Sequence, residues 1–246
     1  LQYCVKNFNS GGKSSIVSNY FYGNFFYTNT EYNKLISLIR NAQNSIFIEN
    51  QWIYSTNITK NVIIKEILDR IIQNRAITVT IITNDEYIDS CNKKAIGTIH
   101  GYLNCLGYRE IFRAYLYYSL SFMFNYLRKH NLTTKEINKI LKIYVPKKDV
   151  LIHSKNVIVD HNKMLYGTSN LWDRSYTKGL DIELSIFLKG NKVREVENNI
   201  ISRYLNGAEN LDKTENLKRI YMNKKITYLR TGTKIIIFII ILLVLI

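Results

Sequence analysis

The sequence predicts an α/β domain: a layered mixed sheet flanked by helices. Three observations carry this. Residues 45–82 read strand, helix, strand: the apolar, β-branched runs Ser45–Tyr54 and Ala76–Ile82 enclose Asn61–Asn74, whose apolar residues fall at helical spacing. That order implies a right-handed parallel crossover with helices layered on a sheet. Further strands are expected at Val150–Val159 and Leu184–Leu188, where β-branched and apolar residues dominate. Finally, 46% of the 246 residues are hydrophobic, enough for a sizeable core, and a single proline with 11 glycines argues against low complexity.

Residues 1–29 alternate polar and aromatic side chains without a clear period. Gly12-Lys13-Ser14 resembles the end of a phosphate-binding loop, but Asn7 stands where that loop needs glycine and no strand leads in, so nucleotide binding is set aside. Thr30 is the expected N-cap of a helix over Glu31–Asn41, with Leu35, Ile36, Leu38 and Ile39 on its apolar face. In the strand Ser45–Tyr54, Ile46, Ile48, Asn50 and Trp52 take one face, and Phe47, Glu49, Gln51 and Ile53 the other. Glu49 and Gln51 therefore share a face inside an apolar run. Buried polar groups need partners, so the two either wall a phosphate pocket or form a hydrogen-bonded structural pair.

The helix Asn61–Asn74 presents Val62, Ile63, Ile67, Leu68, Ile71 and Ile72. Residues 85–142 are mostly helical in character, and Tyr115, Leu116, Leu120, Phe122, Met123 and Tyr126 are expected to cover the sheet rather than meet lipid. Thr133 and Glu136 have capping-box spacing and start a helix to Lys142, followed by a short strand at Ile143-Tyr144-Val145. A polar turn at His161-Asn162 leads to a strand over Lys163–Tyr166, and Val193–Tyr204 reads as a helix. Lys213, Lys218, Arg219, Lys224, Lys225, Arg230 and Lys234 then make a basic segment. Residues 235–246 contain no polar side chain. As a helix they would reach about 18 Å, against the roughly 30 Å of a bilayer core, too short to span alone.

The formal net charge of +15 points to anionic partners: phospholipid headgroups, phosphoinositides or nucleic acid. Lys, Asn, Ile and Tyr are abundant throughout, a composition bias that weakens any argument from lysine counts alone. Cys4, Cys91 and Cys105 are odd in number and make no C-x-x-C pair, so neither a disulfide nor a zinc framework follows and a reducing compartment is the simpler inference. His100 and His130 stand apart from any acid or second histidine and are read as non-catalytic.

Residues 150–183 concentrate the chemistry. On one strand, His153 and Lys155 project the same way. Gly167 lets the chain bend, after which Thr168 and Asn170 share one face. An imidazole, an ammonium, a hydroxyl and an amide can thus surround one anion. Neutral imidazole can attack phosphorus, and imidazolium can protonate a leaving oxygen. Lysine offers a compact positive charge to phosphoryl oxygens, and hydroxyl and amide donors meet the charge that grows there. A carboxylate such as Glu183 would accept from the other imidazole nitrogen and fix its tautomer. No metal is needed if lysine and two imidazoles neutralise the phosphate.

His153-Ser154-Lys155, Asp160 and Gly167-Thr168-Ser169-Asn170 resemble the H-x-K-x4-D-x6-G-[ST]-x-N signature of the phospholipase D superfamily. Asp173-Arg174-Ser175, Gly179 and Asp181-Ile182-Glu183 are similar to the continuation of that signature in eukaryotic phospholipase D, and Ile46–Trp52 resembles its IYIENQFF strand. Both motifs belong to the C-terminal half of those enzymes. The resemblance implies a phospholipase D-like lobe, one of the two usual halves, over residues 30–212. Residues 1–29 would be an incomplete lead-in, and residues 213–246 a basic segment and apolar tail. It gives catalytic roles to His153, Lys155, Asp160, Asn170 and Glu183, with Asp160 bracing the site. Substrate contacts fall to Thr168, Ser169, Glu49, Gln51 and Asp181. The implied reaction is phosphatidylcholine-like phospholipid hydrolysis to phosphatidic acid through a phosphohistidine, without metal or other cofactor. An alcohol in place of water would give a new phosphatidyl ester. Because the chain begins at Leu1 and carries one H-x-K, the resemblance also implies a missing N-terminal half or a homodimer partner. The expected setting is cytoplasmic and membrane-associated, with anionic lipids bound through Lys213–Lys234. A single-motif nuclease acting as a dimer and a non-catalytic membrane-binding module are the competing readings, and the Glu49-Asn50-Gln51 and Asp173-Arg174-Ser175 matches point to lipid rather than nucleic acid.

Overall fold

The computed structural model describes residues 13–22, 26–54, 62–85, 99–147, 151–176 and 183–223. The elements are β1 (Lys13–Tyr22), β2 (Phe26–Asn29), α1 (Thr30–Arg40), β3 (Ser45–Asn50), β4 (Ile53–Tyr54), α2 (Val62–Gln73), β5 (Thr78–Ile82), α3 (Ile99–Lys129) and α4 (Thr134–Ile140). They continue with β6 (Leu141–Pro146), β7 (Lys155–Val159), β8 (Lys163–Gly167), β9 (Leu171–Trp172), α5 (Asp173–Tyr176), β10 (Glu183–Lys189), α6 (Lys192–Leu205) and β11 (Leu217–Ile220).

Nine of these strands form one mixed sheet in the order β11-β6-β5-β3-β7-β8-β10-β1-β2. The expected crossover is present: β3 runs parallel to β5, and β5 runs parallel to β6. The remaining neighbours are antiparallel. Strand alternation divides the core in two. Ile46, Ile48, Val79, Ile81, Val157 and Val159 pack with Leu35 and Ile39 of α1, Ile63, Ile67 and Ile71 of α2, and Leu116, Leu120 and Met123 of α3. Phe47, Ile158 and Met164 face the other way and pack against Val193 and Ile200 of α6. The sheet is thus a middle layer between helices, and α3 covers it as the sequence predicts.

Three departures have identifiable causes. The expected strand over 45–54 breaks after Asn50, whose side-chain Oδ1 accepts from the Trp52 amide at 3.1 Å and the Leu171 amide at 3.2 Å. Ile53 and Tyr54 leave the main sheet and pair in parallel with Leu171 and Trp172. The strand expected from residue 150 begins only at Lys155, because the Ile152 backbone is bound by the Asn84 side chain rather than by a neighbouring strand. The capping box forms, with Glu136 N–H donating to Thr133 Oγ1 at 3.2 Å and Thr133 N–H to Glu136 Oε2 at 2.6 Å. Its helix stops at Ile140 rather than Lys142, since Leu141 is already extended and enters β6 directly.

The sheet also runs past both ends of the 30–212 span. β1 pairs with β10 and with β2 on one side. On the other, β11 pairs with β6, with Leu217 and Ile220 of the basic segment buried. Asp181, the basic residues beyond 223 and the apolar tail lie outside the described residues, as do the side chains of Asp173 and Arg174. Among the described residues no helix is long and apolar enough to cross a membrane.

Candidate active site

The carboxyl ends of parallel strands are where open α/β sheets place their ligands. Asn50 ends β3 there, and Thr83 and Asn84 follow β5. Asn84 is fully buried, and its amide group donates to Gln51 O at 3.0 Å and Ile152 O at 2.9 Å, while its Oδ1 accepts from Ile152 N–H at 3.0 Å. Thr83 Oγ1 donates to the same Gln51 carbonyl at 3.3 Å. These bonds fix the irregular segment Leu151–Ser154, from which His153 projects exposed.

Lys155 opens β7 opposite Asn50 in the register. Only 8% of its surface is exposed. Its Nζ donates to Gln51 Oε1 at 2.9 Å and His153 O at 2.6 Å, and lies 3.4 Å from His153 Nδ1. Burial lowers the Lys155 pKa, and the negative charge of Glu183 opposes that shift.

The Gly167–Asn170 loop is seated beside this lysine. Gly167 faces Ser185 so closely that a Cβ there would stand 1.8 Å from Ser185 Oγ, so no other residue fits without a shift. The Thr168 hydroxyl donates to Glu183 Oε2 at 2.5 Å and accepts from Leu184 N–H at 3.0 Å. Asn50 Nδ2 donates to Ser169 O at 3.2 Å. Asn170 is half-buried, and its Oδ1 makes no hydrogen bond.

Several sequence-predicted roles change here. Glu183 does not meet an imidazole; it takes the Thr168 hydroxyl, because the antiparallel register of β8 and β10 carries Thr168 on to Leu184, the residue next to Glu183. That hydroxyl proton is therefore committed to Glu183 rather than to an anion. Glu49 and Gln51, though of one parity, part company. Gln51 holds Lys155, whereas Glu49 accepts from Asn156 Nδ2 at 2.7 Å and from Tyr204 OH at 2.5 Å, tying β3 to β7 and α6. With both oxygens taken and 2% of its surface exposed, Glu49 does not face a ligand. Ser169 is buried under the loop instead of pointing out of it.

Asp160 sits at the opposite end of β7, about 17 Å from Lys155 at roughly 3.3 Å per residue. Its carboxylate accepts from the backbone amides of Gln43 and Asn44 at 3.0 and 2.7 Å and of Ser45 at 3.1 Å. Burial raises its pKa, but these amides, with Lys163, outweigh burial and leave it below the ordinary value. Asp160 and the next residue, His161, both have positive φ, 52° and 58°, in the tight β7–β8 turn. Asp160 thus braces the fold and takes no part in the site.

The structure brings together His153, Lys155 and Gln51, sets the Thr168–Glu183 pair near enough for the Glu183 charge to act on Lys155, places Asn170 at the end of the same loop, and adds Asn50 and Asn84, which sequence reasoning missed as site residues. The position of Asn84, directly after a buried parallel strand, is the signal that could have found it. Among the described residues no cluster of three or more His, Cys, Asp or Glu converges to hold a metal ion.

The family described as cardiolipin synthase, PLD-like domain, matches residues 35–204. Among solved structures, phosphatidylserine synthase of Haemophilus influenzae Rd KW20 is similar at 14% identity and a TM-score of 0.55, over 87% of this chain and 41% of that chain. The phospholipase D family member NUC of Salmonella typhimurium is 14% identical with a TM-score of 0.44, over 76% of this chain and 91% of that chain. NucT of Helicobacter pylori is 14% identical with a TM-score of 0.43, over 79% and 96%. The likeness to the synthase is one of fold, and the chain spans less than half of its length. No curated protein matches the chain.

Proposed function

Because the chain belongs to the family of cardiolipin synthase, PLD-like domains, we propose that it cleaves phosphodiesters at His153 and Lys155, with a phospholipid as substrate. One observation carries this reading: a buried ammonium, held by Gln51, lies 3.4 Å from an exposed imidazole at the carboxyl ends of parallel strands. An imidazole attacks phosphorus, and the bond from phosphorus to the headgroup oxygen breaks. A second imidazole gives its proton to the departing oxygen. Water or an alcohol then attacks the phosphohistidine, losing its proton to that second imidazole, and phosphatidic acid or a new phosphatidyl ester leaves. Lys155 and the Asn170 amide hold the non-bridging oxygens through both steps. His153 takes one imidazole role. The other comes from a second H-x-K half, in a further segment or a second copy of this chain. This scheme uses no cofactor.

A lipid substrate is supported by the family description, by the phosphatidylserine synthase neighbour, and by the resemblance of Ile46–Trp52 and Asp173–Glu183 to the C-terminal half of eukaryotic phospholipase D. The net charge of +15 favours association with an anionic, cytoplasm-facing membrane surface, yet it equally favours nucleic acid, which keeps a nuclease reading in play. The test is to incubate the full chain with short-chain phosphatidylcholine plus ethanol, and separately with a labelled oligonucleotide. Phosphatidic acid and phosphatidylethanol are expected once a second H-x-K half is present, by dimerisation or from a further segment, with little or no product from the monomer, and both should vanish in His153→Ala. Oligonucleotide cleavage without lipid product would overturn the substrate; liposome binding with no product from either would make the chain a binding module.

A further inference from the structure

Beneath the Gly167–Asn170 loop lies a carboxyl group that this scheme does not use. Glu31, at the start of α1, is 1% exposed. Its Oε1 accepts from Ser185 Oγ at 2.6 Å and from Tyr176 OH at 3.3 Å. Its Oε2 and the Ser169 hydroxyl are both buried without a hydrogen-bond partner, and the Ser169 side chain is near enough to the carboxyl to lower its pKa. Among the described residues no cation pairs with Glu31. Four segments therefore converge on one carboxyl: the start of α1, the loop through Ser169, α5 through Tyr176 and β10 through Ser185. Ser185 is also the residue that leaves Gly167 no room for a side chain.

An ionised carboxylate without a cation is strongly disfavoured in such a place. A neutral acid fits: it donates from Oε2 toward Ser169 while Oε1 accepts from Ser185 and Tyr176. Burial raises the Glu31 pKa first, and the nearby Glu183 charge adds to that, against the hydrogen bonds from Ser169, Ser185 and Tyr176. As a helix-starting glutamate, Glu31 gave no sign of this in the sequence, since its partners lie far along the chain.

We infer that Glu31 is a positioning residue for the phosphodiesterase reaction: its carboxyl seats Ser169 and Ser185, and so fixes where Asn170, the next residue of the loop, meets the phosphate. The activity arm of its test rests on the function proposed above; the structural arm does not. Full-length wild type, Glu31→Gln, Glu31→Ala and Ser169→Ala are compared in two ways. The first is hydrogen exchange at the Thr168 and Leu171 amides, which bond to Leu184 O and Trp52 O in the intact loop. The second is kcat and KM against pH.

Glu31→Ala and Ser169→Ala are expected to speed exchange at both amides about tenfold or more, with the amides of Gln43–Ser45 unchanged. Both should lower kcat about 10²-fold, the size of a small misplacement of reacting groups, with a much smaller change in KM. Glu31→Gln should restore both readouts, and its kcat should lose the part of the pH dependence that comes from Glu31 while keeping the part set by Lys155. Lys155 titrates in every variant, so the difference between wild type and Glu31→Gln isolates Glu31. Unchanged loop exchange in Ser169→Ala and Glu31→Ala overturns the inference, as does a Glu31→Gln variant as impaired as Glu31→Ala. Should Glu31→Ala fail to fold, Ser169→Ala carries the same comparison. If wild type turns over neither lipid nor oligonucleotide, the function proposed above fails and the exchange result alone decides the role of Glu31.

Discussion

Lys155 carries its charge with 8% of its surface exposed, and that burial sets its titration. Burial lowers its pKa, and Glu183 draws it part of the way back. The cost of holding the ammonium inside is present below that lowered pKa and disappears as pH rises through it. The charge proposed to grip phosphate disappears with it. Activity is therefore expected to fall on the alkaline side before the ordinary lysine range near about 10.4 is reached, which a pH–rate profile checks. Asn84 acts on the neighbouring His153 through backbone atoms. Asn84→Ala strands the N–H and C=O of Ile152, and is expected to destabilise the fold by about 2–3 kcal/mol and lower kcat more than KM, read by denaturant melts and steady-state kinetics. His153 and Lys155 were legible in the sequence because their side chains are two residues apart on one motif. Asn84 was not, because its partners are main-chain groups that any residue carries. Glu183 was legible as a site carboxylate but not in its partner, since the register of β8 against β10 decides that.

Apolar periodicity located the helices α1, α2 and α6 to within a residue or two, because each lays one stripe on the sheet. It failed where a distant side chain captures the backbone, as Asn50 does at residues 51–52 and Asn84 at 151–154. The Gly167–Asn170 loop depends on such a meeting of elements. Gly167→Ala would drive a methyl into Ser185 Oγ and Leu184 O, and β8 and β10 would have to separate. A loss of at least about 1–3 kcal/mol is expected, with Thr168 and Glu183 pulled apart. Thermal melts check the first, and amide chemical shifts of Thr168 and Leu184 the second. By contrast Thr133→Ala removes a capping box distant from the site, and should cost about 1 kcal/mol in a melt while leaving turnover as it was.

Across the whole molecule, a net charge of +15 would draw the chain to anionic surfaces. Binding to anionic vesicles should weaken sharply as salt rises from about 0.1 to 1 M and the screening length shrinks from about 10 to 3 Å. Not every cation contributes equally. Lys213 is paired with Glu209, and Arg219 with Asp212 at 3.0 Å, whereas Lys218 is exposed on β11. Lys218→Glu should thus weaken vesicle sedimentation more than Lys213→Glu. The sequence order of the strands gave no hint that β1, β2 and β11 complete the sheet from beyond the expected lobe, because edge pairing is settled by residues far apart in the chain. The placement of Asp160 has a practical corollary. One five-residue strand carries Lys155 at its start and the Asp160 cradle just past its end, so a spectroscopist following phosphate-analogue titrations has a built-in reference. The Gln43, Asn44 and Ser45 amides would hold their resonances while the Gln51 side-chain amide shifts, and movement at both ends together would mean unfolding rather than occupancy.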